Sequence, residues 1–283
     1  MALWHLNWTA DGRRTFFPEE GDCRRAVRTL VRVCGRRAVL YNVADDHLHL
    51  VAQSGEGELG VLTRSVLLAL RPLTEVPFAP VYVKQVVDRS HLMTLVDYVL
   101  RQGPHHGLAT HPALASGSCF PDLVGARLLP GFEQRLTGLL PRFSMHGVFA
   151  KAGLHLEQPL SPAGDGALAL AGAARLLAAS AAAVAAPPGL CGREPWLVDG
   201  RAAFVRLAQA AGLPTRVISQ VGGLPLRSVQ RLAHREIDPR LLSAARLRIA
   251  LEDAVQRQPP AAREPAPPDY GPGDSEPEAI EPW

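Results

Sequence analysis

The stretch that decides the fold is Asp45-Asp46-His47-Leu48-His49-Leu50-Val51-Ala52. A polar corner (Asn42, Asp45, Asp46) precedes a run of strand formers, and Ala38 to Val43 on its other side has the same character. Two strands joined through Ala44–Asp46 form a hairpin. On a strand, side chains two apart share a face, so His47 and His49 present their imidazoles together while Leu48 and Leu50 face the opposite layer. Neutral imidazole is the commonest metal ligand among side chains. A half-buried strand whose histidines carry no metal has the same pattern.

Upstream, Leu3 to Thr9 alternates and is rich in aromatics, which predicts a strand. Pro18-Glu19-Glu20 opens a helix with acids in its first turn, and Gly35 stops it. Downstream, a second helix is expected from about Glu58 to Leu70, then a strand over Val81 to Val87. Asp88-Arg89-Ser90 supplies N-cap chemistry for a third helix ending near Gln102, with Gly103-Pro104 as breaker. The order β-α-β-β-α-β-α predicts an α+β fold: a ferredoxin-like antiparallel sheet with helices on one face.

Beyond Gly107 the signals are mixed. Short helices are expected near 121–129 and 131–140, and a longer one over 167–186 on propensity. Ala186-Pro187-Pro188-Gly189 and Gly192-Arg193-Glu194-Pro195 mark a linker, followed by helices near 200–211, 214–221, 225–235 and 239–257. The expected organisation is an N-terminal domain over 1–110, a helical extension and linker over 111–195, an all-α helix-turn-helix domain over 196–257, and a disordered acidic, Pro-rich tail over 258–283.

Composition bounds the function. The 283 residues are 47% hydrophobic and 20% charged with a net charge of +3, ordinary for a globular chain. The charge is unevenly placed. Residues 199–257 hold ten arginines against five acids, whereas the tail from Gln258 holds six acids against Arg263. A basic block beside an acidic tail suggests a polyanion-binding module. Cys23, Cys34, Cys119 and Cys191 form no C-x-x-C pair and read as reduced thiols in a cytoplasmic protein. The Ala-rich window 167–186 is broken by Gly172 and Arg175, and the N-terminus lacks a basic region followed by an apolar run, so neither a membrane span nor a secretion signal is expected.

In the third helix Tyr98 and Gln102 are four apart and share a face. Packed on the sheet face that bears His47 and His49, this helix aims a phenol and a carboxamide oxygen at two imidazoles. Two nitrogens and an amide oxygen make an open site for a divalent cation. A tyrosine oxygen beside such an ion can attack a phosphodiester and form a covalent intermediate. Singly, Tyr98 has the pattern of an amphipathic core residue and Gln102 that of a helix-terminal polar residue.

The basic block contains Pro214-Thr215-Arg216-Val217-Ile218-Ser219-Gln220-Val221-Gly222-Gly223-Leu224-Pro225-Leu226-Arg227-Ser228-Val229-Gln230-Arg231-Leu232. It reads as helix-turn-helix, with Gly222-Gly223 as the turn and Val229 and Leu232 facing inward. The outer face shows Arg227, Ser228, Gln230, Arg231 and His234. Arg and Gln are the side chains that read guanine and adenine edges in the major groove. A small helical bundle with a charged face shares the pattern.

His47-Leu48-His49 followed by Tyr98-x-x-x-Gln102 resembles the HUH single-tyrosine transposases, including the REP-associated tyrosine transposases of bacteria, over roughly residues 3–110. The resemblance implies that His47, His49 and Gln102 hold Mg²⁺ or Mn²⁺. It implies too that Tyr98 is the nucleophile, cleaving single-stranded or hairpin DNA through a 5′-phosphotyrosine and rejoining strands by the reverse attack. Phosphate contacts would come from Arg13, Arg14, Arg64, Arg89 and Arg101. The expected function is DNA transposition, with duplex DNA as a further partner of the helix-turn-helix and a monomer or homodimer as the working state. The alternative is a domesticated, non-catalytic DNA-binding regulator. A ferredoxin-like small-ligand or RNA-binding module explains neither Tyr98 nor the helix-turn-helix.

Overall fold

A computed structural model describes residues 1–102 and 111–258. The Gly103-Pro104 breaker, the tail from residue 259 and the side chain of Arg13 lie outside the described residues. The first half runs β1 (Ala2–Thr9), α1 (Glu20–Cys34), β2 (Ala38–Val43), β3 (His47–Ser54), α2 (Glu56–Leu70), β4 (Tyr82–Val86) and α3 (Arg89–Arg101). The four strands form one antiparallel sheet in the order β2-β3-β1-β4, which with this chain order is the ferredoxin-like α+β arrangement.

Local chemistry sets these elements. Gly35 ends α1 at φ 53°, and its N–H caps the carbonyl of Val31. The Asp88 carboxylate accepts from the backbone N–H of His91 at 2.8 Å and starts α3. The hairpin corner closes where Ala44 N–H donates to His47 O at 2.9 Å. The chain after β1 braces that corner: Ala10 N–H reaches Asp46 O at 2.8 Å, and Phe16 and Phe17 N–H groups reach Asp45 O. The position of Asp45–His47 is therefore fixed from two directions.

One sheet face carries Leu48 and Leu50, both fully buried, together with Trp8 and Tyr41. Burying a large apolar side chain contributes roughly 1.5–3 kcal/mol. The other face carries His5, Asn7, Asn42, His47 and His49, and α3 lies against it. The amide of Asn42 donates to Val99 O at 3.1 Å, satisfying a carbonyl near the helix end and holding α3 on β2.

The outer edge of β2 is covered. Val43 N–H donates to Gly117 O at 3.0 Å, and Cys119 N–H to Tyr41 O at 3.1 Å. A Cβ at Gly117 would stand 1.8 Å from Val43 O, so this approach needs glycine. A buried ion pair anchors the same segment: Arg127 Nε donates to Asp122 at 2.9 Å and its other nitrogens to Tyr41 Oη at 2.9 Å, Ser116 O at 2.8 Å and Ser118 O at 2.5 Å.

The expected helices near 121–129 and 131–140 are single turns, α4 (Phe120–Leu123) and α5 (Leu136–Leu139), followed by α6 (Met145–Lys151). Gly125 and Gly131, at φ 78° and 93°, break what composition suggested was continuous. Next come α7 (Asp165–Ala183), α8 (Pro195–Ala210), α9 (Thr215–Gly222), α10 (Leu226–Ala233) and α11 (Pro239–Arg257). These share a second core with Phe204, Ile218, Val229 and Ile249 at its centre. That core begins at Ala163, so α7, expected in an extension, packs on α8 and α11. The stretch expected as linker is packed as well: Ala186 and Leu190 are buried, and Arg201 donates to Leu190 O at 2.6 Å. Among the described residues, α7 is the one helix long and apolar enough to cross a membrane, and it is interrupted at Gly172.

Candidate metal and nucleophile site

β3 and α3 bring together the four side chains singled out in the sequence. The His47 and His49 rings stand edge to face with centroids 4.8 Å apart, and the Tyr98 ring is 5.0 Å from that of His49. Gln102, the residue closing α3, is buried, and its Oε1 lies 2.9 Å from Nε2 of His47. The i, i+4 spacing of Tyr98 and Gln102 thus places phenol and carboxamide over the two imidazoles.

Both histidines are held through Nδ1. His47 Nδ1 is 2.5 Å from the Asp46 carboxylate, and His49 Nδ1 is 3.1 Å from Nε2 of His5 on β1. His5 was missed by sequence reading. It lies far from the pair along the chain, and only the β1–β3 register brings it alongside, with Asn7 opposite His49 and His5 opposite Val51. An alternating strand that carries a histidine on the hairpin's face was the available signal.

Burial disfavours the charged forms of His49 and His5. Burial lowers the pKa of His49 well below its ordinary value, helped by His47 and His5. Burial also lowers His5 to about 4, with His91 and Lys84 adding to the effect. A neutral ring offers one lone pair and one N–H. His49 Nε2 is buried and has no hydrogen-bond partner among the described residues. In the tautomer that donates from His47 Nδ1 to Asp46, the lone pair of Nε2 faces a second acceptor, Gln102 Oε1, at 2.9 Å. In that tautomer two acceptors meet beside the orphaned Nε2 of His49, a donor set that fits a divalent metal. Second partners on the non-ligating nitrogen, such as Asp46 and His5, are the usual companions of metal-bound histidines. Among the described residues no group of three or more His, Cys, Asp or Glu is placed to hold a metal; the set here is two imidazoles and a carboxamide. Two clefts, of about 590 Å³ near Leu156 and Ala254 and about 340 Å³ near Leu67 and Phe78, lie away from these side chains.

The second set of expected residues lies on α10. Gly223, at φ 59°, turns the chain between α9 and α10, and Ser219 Oγ ties it by donating to Leu224 O at 2.6 Å. Val229 and Leu232 are buried against the second core. Arg227, Gln230, Arg231 and His234 are exposed, and Ser228 is half-buried. Of the arginines expected to meet phosphate, Arg14, Arg64 and Arg89 are exposed; Arg101 pairs with Asp97 at 3.1 Å.

No family model matches the chain, and no curated protein matches it. Among solved structures, the chain is similar to that of a REP-associated tyrosine transposase bound to a REP hairpin. Identity is 16% over 44% of this chain and 79% of that one, with a TM-score of 0.35. A likeness that distant leaves the site to be read from its own geometry.

Proposed function

We propose that this chain is a DNA-processing enzyme of the transposase kind, which cuts and rejoins single-stranded or hairpin DNA through a phosphotyrosine at Tyr98. The observation that carries this reading is the convergence of His47, His49, Gln102 and Tyr98 from β3 and α3. His47, His49 and Gln102 would hold Mg²⁺ or Mn²⁺. Bound there, the ion supplies Lewis-acid polarisation of a phosphodiester.

The chain's own residues do the rest. The phenol oxygen of Tyr98 forms a bond to phosphorus and loses its proton, while the bond from phosphorus to the 3′ oxygen breaks and that oxygen takes up a proton. The 5′ phosphate stays on the tyrosine, and attack by a 3′ hydroxyl reverses the sequence. Energy of the phosphodiester is conserved in the phosphotyrosine, so rejoining needs no nucleotide. Burial of His49 and Gln102 excludes water from their side of the group.

The α9–α10 pair is proposed to be a helix-turn-helix. Its Arg227, Gln230 and Arg231 would meet phosphates and base edges of duplex DNA, placing the cutting domain on its target.

The test is a denaturant-resistant adduct with single-stranded hairpin DNA drawn from sequences flanking the gene, in the presence of Mn²⁺. The wild-type chain is expected to form it, attached to the 5′ side of the cut. Tyr98→Phe keeps the ring and deletes the attacking oxygen, so the adduct should vanish while the melting temperature holds. An adduct from Tyr98→Phe moves the nucleophile elsewhere. DNA binding without any adduct from wild type favours a non-catalytic regulator.

A further inference from the structure

The sheet face that bears the histidines continues past them onto β4. Register places residues in rows across the strands. His49 on β3 lies opposite Asn7 on β1, and Asn7 lies opposite Tyr82 on β4. In the adjacent row, Val51, His5 and Lys84 stand in the same relation. Residues opposite one another in an antiparallel sheet point to the same side, so Tyr82 and Lys84 share the face of His47 and His49. Neighbouring strands are about 4.8 Å apart, which puts Tyr82 roughly 10 Å from His49.

This end of the face is open. Tyr82 is 41% exposed and Lys84 is exposed, whereas α3 is clamped onto β2 at the far side. Between Tyr82 and His49 sits Asn7, whose Oδ1 is buried without a hydrogen-bond partner among the described residues. The row therefore carries an aromatic ring, an unpaired amide acceptor and an imidazole, with Lys84 adding positive charge beside it. An aromatic surface for base stacking with a cation for the backbone is what single-stranded nucleic acid binds, whatever its sequence. Edge strands also carry lysine to discourage pairing with other sheets, but that role does not call for a tyrosine in the row of His49.

We infer that Tyr82 and Lys84 form a subsite for single-stranded DNA, in which a base next to the cleaved phosphodiester stacks on the Tyr82 ring and its phosphate meets Lys84. The subsite rests on the proposed function and extends it: the strand crosses the sheet from β3 towards β4.

Binding of a fluorescein-labelled, mixed-sequence single-stranded oligonucleotide, followed by anisotropy at low salt with EDTA, tests this. The full chain is used in an Arg227→Gln/Arg231→Gln background, which removes the main charges of α10. Tyr82→Ala is expected to weaken binding roughly five- to 150-fold, the range for loss of one stacked base. Tyr82→Phe, which keeps a stacking ring, should bind within about twofold of wild type. Lys84→Gln should flatten the dependence of log K on log salt by about 0.7. Val61→Ala, at an exposed site on α2, serves as the control. Equal binding by wild type, Tyr82→Ala and Lys84→Gln overturns the subsite and leaves the proposed function standing. Absence of single-strand binding by the wild-type chain overturns both.

Discussion

Nε2 of His5 on β1 lies 3.1 Å from Nδ1 of His49 on β3, and the two rings stack with centroids 5.2 Å apart. With His5 accepting, His49 carries its proton on Nδ1 and keeps a lone pair on its buried, unpartnered Nε2. His5 is a positioning residue in this arrangement. Partners of this kind alter metal affinity by about 10- to 100-fold when lost. His5→Leu is expected to lower Mn²⁺ affinity by that factor in calorimetric titration, and His5→Gln, whose amide reaches the same place, to retain most of it. Wild type should melt higher with Mn²⁺ than after EDTA, because a ligand of the native state stabilises it by mass action. That difference should disappear in His47→Ala. Equal affinities in His5→Leu and wild type would show that the contact is packing alone.

The Asp122–Arg127 pair sits at the edge of β2, and both residues are buried. Burial opposes the charge of Arg127, but Asp122 overrides it and holds the guanidinium protonated more firmly than usual. Removing one partner strands the other charge. Arg127→Met is therefore expected to cost about 3–5 kcal/mol in urea unfolding. A cost below about 1 kcal/mol would mean that water reaches Asp122 freely.

Burial pushes the Cys34 and Cys119 thiols up to about 12, and Cys23 to about 12 with the carboxylates of Asp45 and Asp22 adding to burial. At pH 8 such groups hold roughly one thiolate in ten thousand, against about a quarter for a free thiol. The thiolate is the species that alkylates. Iodoacetamide at pH 8 should modify exposed Cys191 long before the other three, as read by peptide mass spectrometry. Raising the pH should speed Cys34, Cys119 and the half-buried Cys23 about tenfold per unit up to the limit set by unfolding. Early labelling of Cys119 would reveal that the 117–119 edge opens.

If α10 meets duplex DNA through phosphates, its arginines set the salt dependence. Replacing both Arg227 and Arg231 by Gln is expected to reduce the slope of log K against log salt by about 1.8, since each phosphate contact contributes about 0.9. Filter binding of the full chain to duplex DNA across a salt series measures it. An unchanged slope would place the contact elsewhere on the chain.

The amino-acid sequence by itself determined the elements of the first half almost residue by residue. Hairpin, cap and stop signals are local: Asp45-Asp46 turns the chain, Asp88 starts α3, and Gly35 ends α1. The pairing of Tyr98 with Gln102, and of His47 with His49, was equally legible, because 3.6- and 2-residue periods follow from backbone geometry. What only the tertiary structure decided depends on contacts between distant segments. His5 meets His49 because β1 inserts between β3 and β4 in one register, and a slip of one residue would turn His5 to the opposite face. Tyr82 joins the same face for the same reason. Asp122 and Arg127 find Tyr41 only once β2 is in place. α7 left no local mark of its partner, since an alanine-rich helix declares its propensity but not the surface it packs on; its burial against α8 and α11 was decided by the shape of the second core.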